Sequence, residues 1–127
     1  MEQEKRITFH DLVVWQRSHQ LTLEIFRATK KFPKEERDGL AAELRKAIAA
    51  VPANIAAGFR CRIQPEKLRL YSESLSALER ARYYLILARD LGLLKEFEAL
   101  WNLGEEVGRM LSRLVRSARP QQNRGQQ

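Results

Sequence analysis

The sequence predicts an all-α domain, an antiparallel up-down four-helix bundle, and three observations carry that prediction. Glycine and proline are scarce, six and four in 127 residues, and they interrupt the chain at only a few places. Between the breaks, apolar residues recur at helical spacing and do not alternate as a strand would. The connections are short, so successive helices must fold back on one another. No internal repeat of about 20–50 residues points to a solenoid.

The first helix is expected over about residues 9–31, with Asp11 as its cap. Leu12, Trp15, Leu23 and Phe26 form one apolar stripe, with Val14, Leu21, Ile25 and Ala28 beside it. Pro33 ends it, because proline cannot continue the hydrogen-bond ladder and biases Phe32 toward extended backbone. A second helix over 34–62 opens with Pro33 near its first position and with Glu35, Glu36 and Asp38 where carboxylates suit the helix dipole. Its seam is Leu40, Leu44, Ile48, Val51 and Ile55, and the alanines around it allow close helix approach. Pro52 and Asn54 are poor helix-interior residues and stand out there. Gly58 and Gly92 read as packing or C-cap glycines.

The third helix, about 65–91, carries two apolar stripes. One is Leu70, Ala77, Ala81, Tyr84, Ala88 and Leu91; the other is Leu68, Tyr71, Leu75, Leu78 and Leu85. Two stripes exceed what one small bundle needs, which suggests that one meets another subunit. The fourth helix, about 95–119, has a seam of Leu100, Leu103, Val107, Met110 and Leu114. The bundle therefore fills residues 1–119, and 120–127 reads as a disordered polar tail.

The chain is basic, at +7 and a pI near 10, and the charge is unevenly placed. Residues 90–108 are acidic, whereas 109–127 hold arginines and no acid. Such a field attracts RNA or DNA. No apolar run approaches the roughly 20 residues of a membrane span, no secretory signal is evident, and the lone Cys61 allows no intrachain disulfide, so a cytoplasmic protein is expected. His10 and His19 lack partners at metal-ligand spacing, and no paired nucleophile and base or phosphate loop occurs. The expectation is therefore a non-enzyme without metal or cofactor.

The basic side chains remain as candidates for nucleic-acid binding. Arg60 and Arg62 flank Cys61. Arg62, Arg69 and Arg80 are expected on one side of the third helix, with Arg82 and Arg89 nearly opposite, beside an apolar stripe. Arginine in such a stripe needs a partner, either phosphate or an intersubunit bridge to the acidic segment around Glu96, Glu98, Glu105 and Glu106. Arg109, Arg113 and Arg116 fall opposite the fourth helix's seam as an acid-free ridge, which favours phosphate.

Three motifs carry a family resemblance. Phe9, Asp11, Leu12, Val14, Trp15 and Gln16 come first, Phe32, Pro33, Glu36, Gly39 and Leu40 second, and Pro52, Ala53, Asn54, Ile55, Ala56 and Gly58 third, with LARDLGLL downstream. Over about residues 7–118 the chain resembles the bacterial four-helix-bundle proteins of ribosomal RNA intervening sequences, whose relatives include the accessory variability determinants of diversity-generating retroelements. The resemblance implies a homo-pentameric ring and makes Trp15, Pro33, Pro52, Asn54 and Gly58 structural markers. Pro52 would free the Ile48 carbonyl, and Asn54 could bond to liberated backbone or to a neighbouring helix. Ala57, Arg80 and Arg82 stand where the intervening-sequence pattern carries acids, a shift toward the basic accessory branch. That branch implies partnership with a reverse transcriptase and its RNA in mutagenic homing; an oligomeric scaffold without a nucleic-acid role is the alternative.

Overall fold

The computed structural model describes residues 6–120. Four helices, α1 (Val13–Thr29), α2 (Leu40–Arg60), α3 (Gln64–Asp90) and α4 (Phe97–Ser117), are preceded by a 3-10 turn at Phe9–Asp11, and a second at Lys34–Glu36 precedes α2. The described residues contain no strand. Each helix packs on two others: α1 and α3 both touch α2 and α4, while the diagonal pairs stay apart. Cross-links run antiparallel throughout. Thr22 meets Ile48 and Arg45 meets Thr29 between α1 and α2, whereas Gln64 meets Ala118 and Arg82 meets Glu105 between α3 and α4. The up-down bundle is therefore square.

Helix boundaries are tighter than the sequence suggests. Asp11 does not cap α1; its carboxylate accepts the Thr8 N–H at 2.9 Å and closes the first 3-10 turn, leaving Leu12 as the extended residue before Val13. Pro33 opens the second 3-10 turn and not α2, which begins only after Gly39. At the far end, Cys61 turns extended, so Arg62 belongs to the connection between α2 and α3 and shares no helix face with Arg69 and Arg80. The α3 terminus is a Schellman motif: Gly92, at φ 76°, donates to Arg89 O at 2.9 Å and Leu93 donates to Ala88 O at 2.9 Å. The expected tail at 121–127 and residues 1–5 lie outside the described residues.

The α2 seam is as expected, with Leu44, Ile48, Val51 and Ile55 all fully buried. On α1 only the second stripe is fully committed to the core, and Leu23 of the first stays 40% exposed. The two α3 stripes serve largely the one bundle. Tyr71, Ala77, Leu78, Ala81, Leu85 and Ala88 are buried, because α3 sits between α2 and α4 and must be apolar toward both. Leu68, Leu70, Leu75 and Tyr84 are half-buried and Leu91 is 57% exposed, so part of the apolar surface of α3 stays open. On α4 the buried line drifts from Val107 to Leu111 and Val115, and Met110 and Leu114 are only half-buried. A straight helix turns slightly off a 3-4 repeat, which accounts for the drift.

Pro52 is buried inside an unbroken α2. It leaves the Ile48 carbonyl without its intrahelical donor; the single Thr22 O–H of α1 donates to Ser18 O at 2.8 Å, with Ile48 O as its weaker second acceptor at 3.3 Å. Ser74 of α3 reaches Val51 O at 2.8 Å from the other side. Asn54 takes no part: half-buried, it makes no hydrogen bond among the described residues. Two cations close helix ends. Arg45 bonds Thr29 Oγ1 (2.7 Å) and Phe26 O (3.1 Å) at the end of α1, and Lys67 bonds Gly58 O (2.6 Å) and Phe59 O (3.2 Å) at the end of α2. Both sit where the helix dipole favours positive charge.

Candidate nucleic-acid interface

Antiparallel packing brings the start of α1, the end of α2, the start of α3 and the end of α4 to one pole of the bundle. That pole gathers Arg6, Arg60, Arg62, Arg113, Arg116 and Arg119, all exposed. Two acids, Asp11 and Glu66, stand in the terminal turns beside them. Asp11 holds the Thr8 N–H, and Glu66 is ion-paired to Arg69. The hydrogen bond from Arg69 holds the Glu66 carboxyl below its ordinary range, against a weaker desolvation effect, and raises the guanidinium in turn. The opposite pole mixes Lys30, Lys31, Lys34 and Arg37 with Glu35, Glu36, Asp38, Asp90 and Glu96. The bundle is therefore electrically polar along its axis.

Of the nine arginines singled out in the sequence, three are held closely by carboxylates, five pair with none, and Arg109 stands between, 4.0 Å from Glu105. Arg69 is clamped by Glu66 and by Glu73, at 2.7 Å from the latter. Arg82 is mostly buried, bonded to Glu79 at 3.1 Å and Glu105 at 3.0 Å, with its guanidinium carbon 4.1 Å from the Trp101 ring centroid. Arg89 pairs with Asp90 at 2.9 Å and lies 4.4 Å from the Phe97 ring centroid. Each of these three has its carboxylate partner in the same chain. By contrast, Arg60, Arg62, Arg80, Arg113 and Arg116 are exposed and pair with no carboxylate among the described residues.

The α4 ridge is not acid-free. Arg109, Arg113 and Arg116 line a groove of about 380 Å³ against α3, floored by Leu75 and Gly108, whose α3-facing wall is Glu79 and Arg82. Glu105 lies one turn before Arg109, at 4.0 Å, but Arg109 remains 65% exposed and the pair is long. Arg82 bridges Glu79 and Glu105, and its single charge offsets one of the two carboxylates, so the groove sets the three ridge arginines against one net negative charge. A second cleft, also about 380 Å³, is lined by Arg6, Ile7, Phe59, Arg60 and Arg62. Arg6 and Phe59 escape a linear reading, since only the fold brings the chain start beside the end of α2.

The structural markers are distributed around this pole and the core. Trp15 is half-buried, stacked on His19 with centroids 4.9 Å apart and near His10 at 5.1 Å. Gly58 is buried where α2 and α3 approach, and Pro33 is exposed. Cys61 is half-buried, with Sγ 3.6 Å from Ile63 O. Among the described residues, no group of three or more His, Cys, Asp or Glu side chains is placed to hold a metal, and no helix is long and apolar enough to cross a membrane.

Comparison with known proteins places this arrangement. The family model described as 23S rRNA-intervening sequence protein matches residues 10–113. Among solved structures, a protein of unknown function from the S23 ribosomal protein family of Bacteroides thetaiotaomicron superposes with a TM-score of 0.73 at 14% identity, over 81% of this chain and 98% of that one. At that identity the likeness shows the fold. No protein of curated function matches the chain.

Proposed function

The chain belongs to the 23S rRNA-intervening sequence protein family, and from that premise we propose a non-catalytic protein that binds nucleic acid through the phosphate backbone. The observation that carries the proposal is the gathering of exposed Arg6, Arg60, Arg62, Arg113, Arg116 and Arg119 at one pole, where they outnumber the nearby acids: Asp11, Glu66 bound to Arg69, and Glu79 and Glu105, bound to Arg82 in the groove that Arg113 and Arg116 line. Arg109 extends that surface along α4. Exposed, unpaired guanidinium groups neutralise phosphates and release counterions, which supplies affinity without reading sequence.

The wider setting follows from the resemblance: a homo-pentameric ring in the cytoplasm, acting beside a reverse transcriptase on its RNA. Of the three positions that shift the chain toward the basic branch, Ala57 and Arg80 are exposed and alter the outer field, whereas Arg82 is absorbed by Glu79 and Glu105. The alternative is a scaffold whose arginines only bridge subunits, and the intrachain pairs of Arg69, Arg82 and Arg89 weigh against those three as bridges.

Replacing Arg109, Arg113 and Arg116 together by Gln tests the central reading. The bundle stays folded, since all three are exposed. Affinity for RNA and DNA falls regardless of sequence, and the slope of log affinity against log salt flattens by up to about 0.7–0.9 for each phosphate no longer neutralised. A wild-type protein that binds neither RNA nor DNA in low salt refutes it.

A further inference from the structure

Phe59 is a large aromatic side chain that the fold does not use. It belongs to neither cluster of the hydrophobic core, it is half-exposed, and it sits in the wall of the polar cleft with Arg6, Arg60 and Arg62. Ile7, in the same cleft, is 72% exposed. An aromatic ring beside three exposed arginines that pair with no acid among the described residues suits a nucleotide better than a bare anion. The guanidinium groups take the phosphate while the ring offers a stacking face to a base. The 3-10 turn adjoining Ile7 packs on α2 and carries a stacked ring pair, half-buried Phe9 and exposed His10, with centroids 4.3 Å apart.

We propose that this cleft takes an unpaired nucleotide, so that the protein engages single-stranded nucleic acid at its basic pole. A duplex keeps its bases stacked inside and presents only phosphates, so it meets the arginines but not the ring. The proposal rests on the phosphate-binding reading above and adds the class of nucleic acid. Lys67, whose Nζ lies 5.9 Å from the Phe59 ring centroid, is tied to the Gly58 and Phe59 carbonyls, so the wall is held in place.

The test uses the full chain, an unstructured RNA of about 15 nucleotides, and the same RNA annealed to its complement, each titrated by fluorescence anisotropy. Phe59→Ala weakens single-strand binding about fivefold or more, the lower end of what one base–aromatic stack contributes, and leaves duplex binding within about twofold. Arg60→Gln with Arg62→Gln weakens both, and the thermal melt of each variant establishes that it is folded. Equal loss on single strand and duplex, or no loss on the single strand with a folded Phe59→Ala protein, overturns the single-strand assignment while leaving the α4 phosphate reading intact. Absence of binding by the wild-type protein to both probes overturns both.

Discussion

Replacing Gly58 by Ala sets two effects of opposite sign against each other. An alanine inside a helix is favoured over glycine by about 1 kcal/mol. At this position, however, a Cβ would lie 2.6 Å from Tyr71 Cε1 and 2.7 Å from Cδ1, where carbon atoms settle at about 3.5–4.0 Å. The ring must therefore move by about 1 Å. It has little room to do so: Tyr71 is 3% exposed and packed with Val115 and Ala118, and Lys67 Nζ lies 5.4 Å from its centroid. Overpacking of this kind costs about 1–3 kcal/mol, and the same shift loosens the Lys67 bond to Gly58 O. The expected net effect is a loss of about 1–2 kcal/mol, or roughly 4–10 °C in the melting temperature of a domain this size. Thermal and urea unfolding of Gly58→Ala, Tyr71→Leu and the double variant measure it. The double variant should be more stable than the sum of the singles, since removing the ring edge removes the clash. A Gly58→Ala protein that melts higher than wild type would show that propensity wins and that α2 and α3 have room to part at this point.

The remaining predictions concern the proline, the buried arginine and the assembly. Thr22→Val should cost up to about 1 kcal/mol in the wild-type chain, by removing the hydroxyl that Ile48 O shares with Ser18 O, and less when Pro52→Ala restores a backbone N–H one turn on; strictly additive losses in urea would contradict this. Pro52→Ala alone should fold and keep its helicity by circular dichroism. Arg82→Met should cost about 1–2 kcal/mol through its contacts with Trp101, Glu79 and Glu105, yet leave the salt slope of RNA binding unchanged, whereas Arg80→Gln should flatten it; a flattened slope for Arg82→Met would mean that this side chain reaches phosphate. Light scattering of the purified protein should give a pentamer mass, and a monomer at micromolar concentration would remove the ring from the proposal.

The helices were legible because each periodic apolar segment ends at a residue that cannot continue it. Their first turns were not. Pro33 and Gly39 both permit a helix start, and only the structure distinguishes a 3-10 turn after the one from α2 after the other. Periodicity also cannot say how many neighbours a helix has. The apolar excess of α3 reads equally as a face for a second subunit or as a helix wedged between α2 and α4, and here the wedge accounts for the buried residues. Pro52 was visible as an anomaly, but the hydroxyl beside the Ile48 carbonyl it frees belongs to Thr22 on α1, 26 residues from Ile48 and beyond the reach of any local rule.

The charged surface shows the same limit in a form that bears on function. A sequence separates acidic 90–108 from basic 109–127, yet charge pairing in a bundle is decided across helices. Glu105 belongs to the acidic segment but binds Arg82, 23 residues upstream, and Glu66 and Glu73 hold Arg69 within a single helix face. Once those pairs are formed, the acids of the middle of the bundle are spent on arginines that support the fold. What is left exposed is set by topology: four chain ends brought to one pole, each with arginine near it. The same folding that hides Arg82 against Trp101 sets Arg6 beside Arg60 and Arg62, residues separated by more than fifty positions, around a phenylalanine the core leaves out. Polarity along the bundle axis thus arises from which arginines find carboxylates, and a surface built this way should bind phosphate at one pole even where the net charge of the chain is reduced elsewhere.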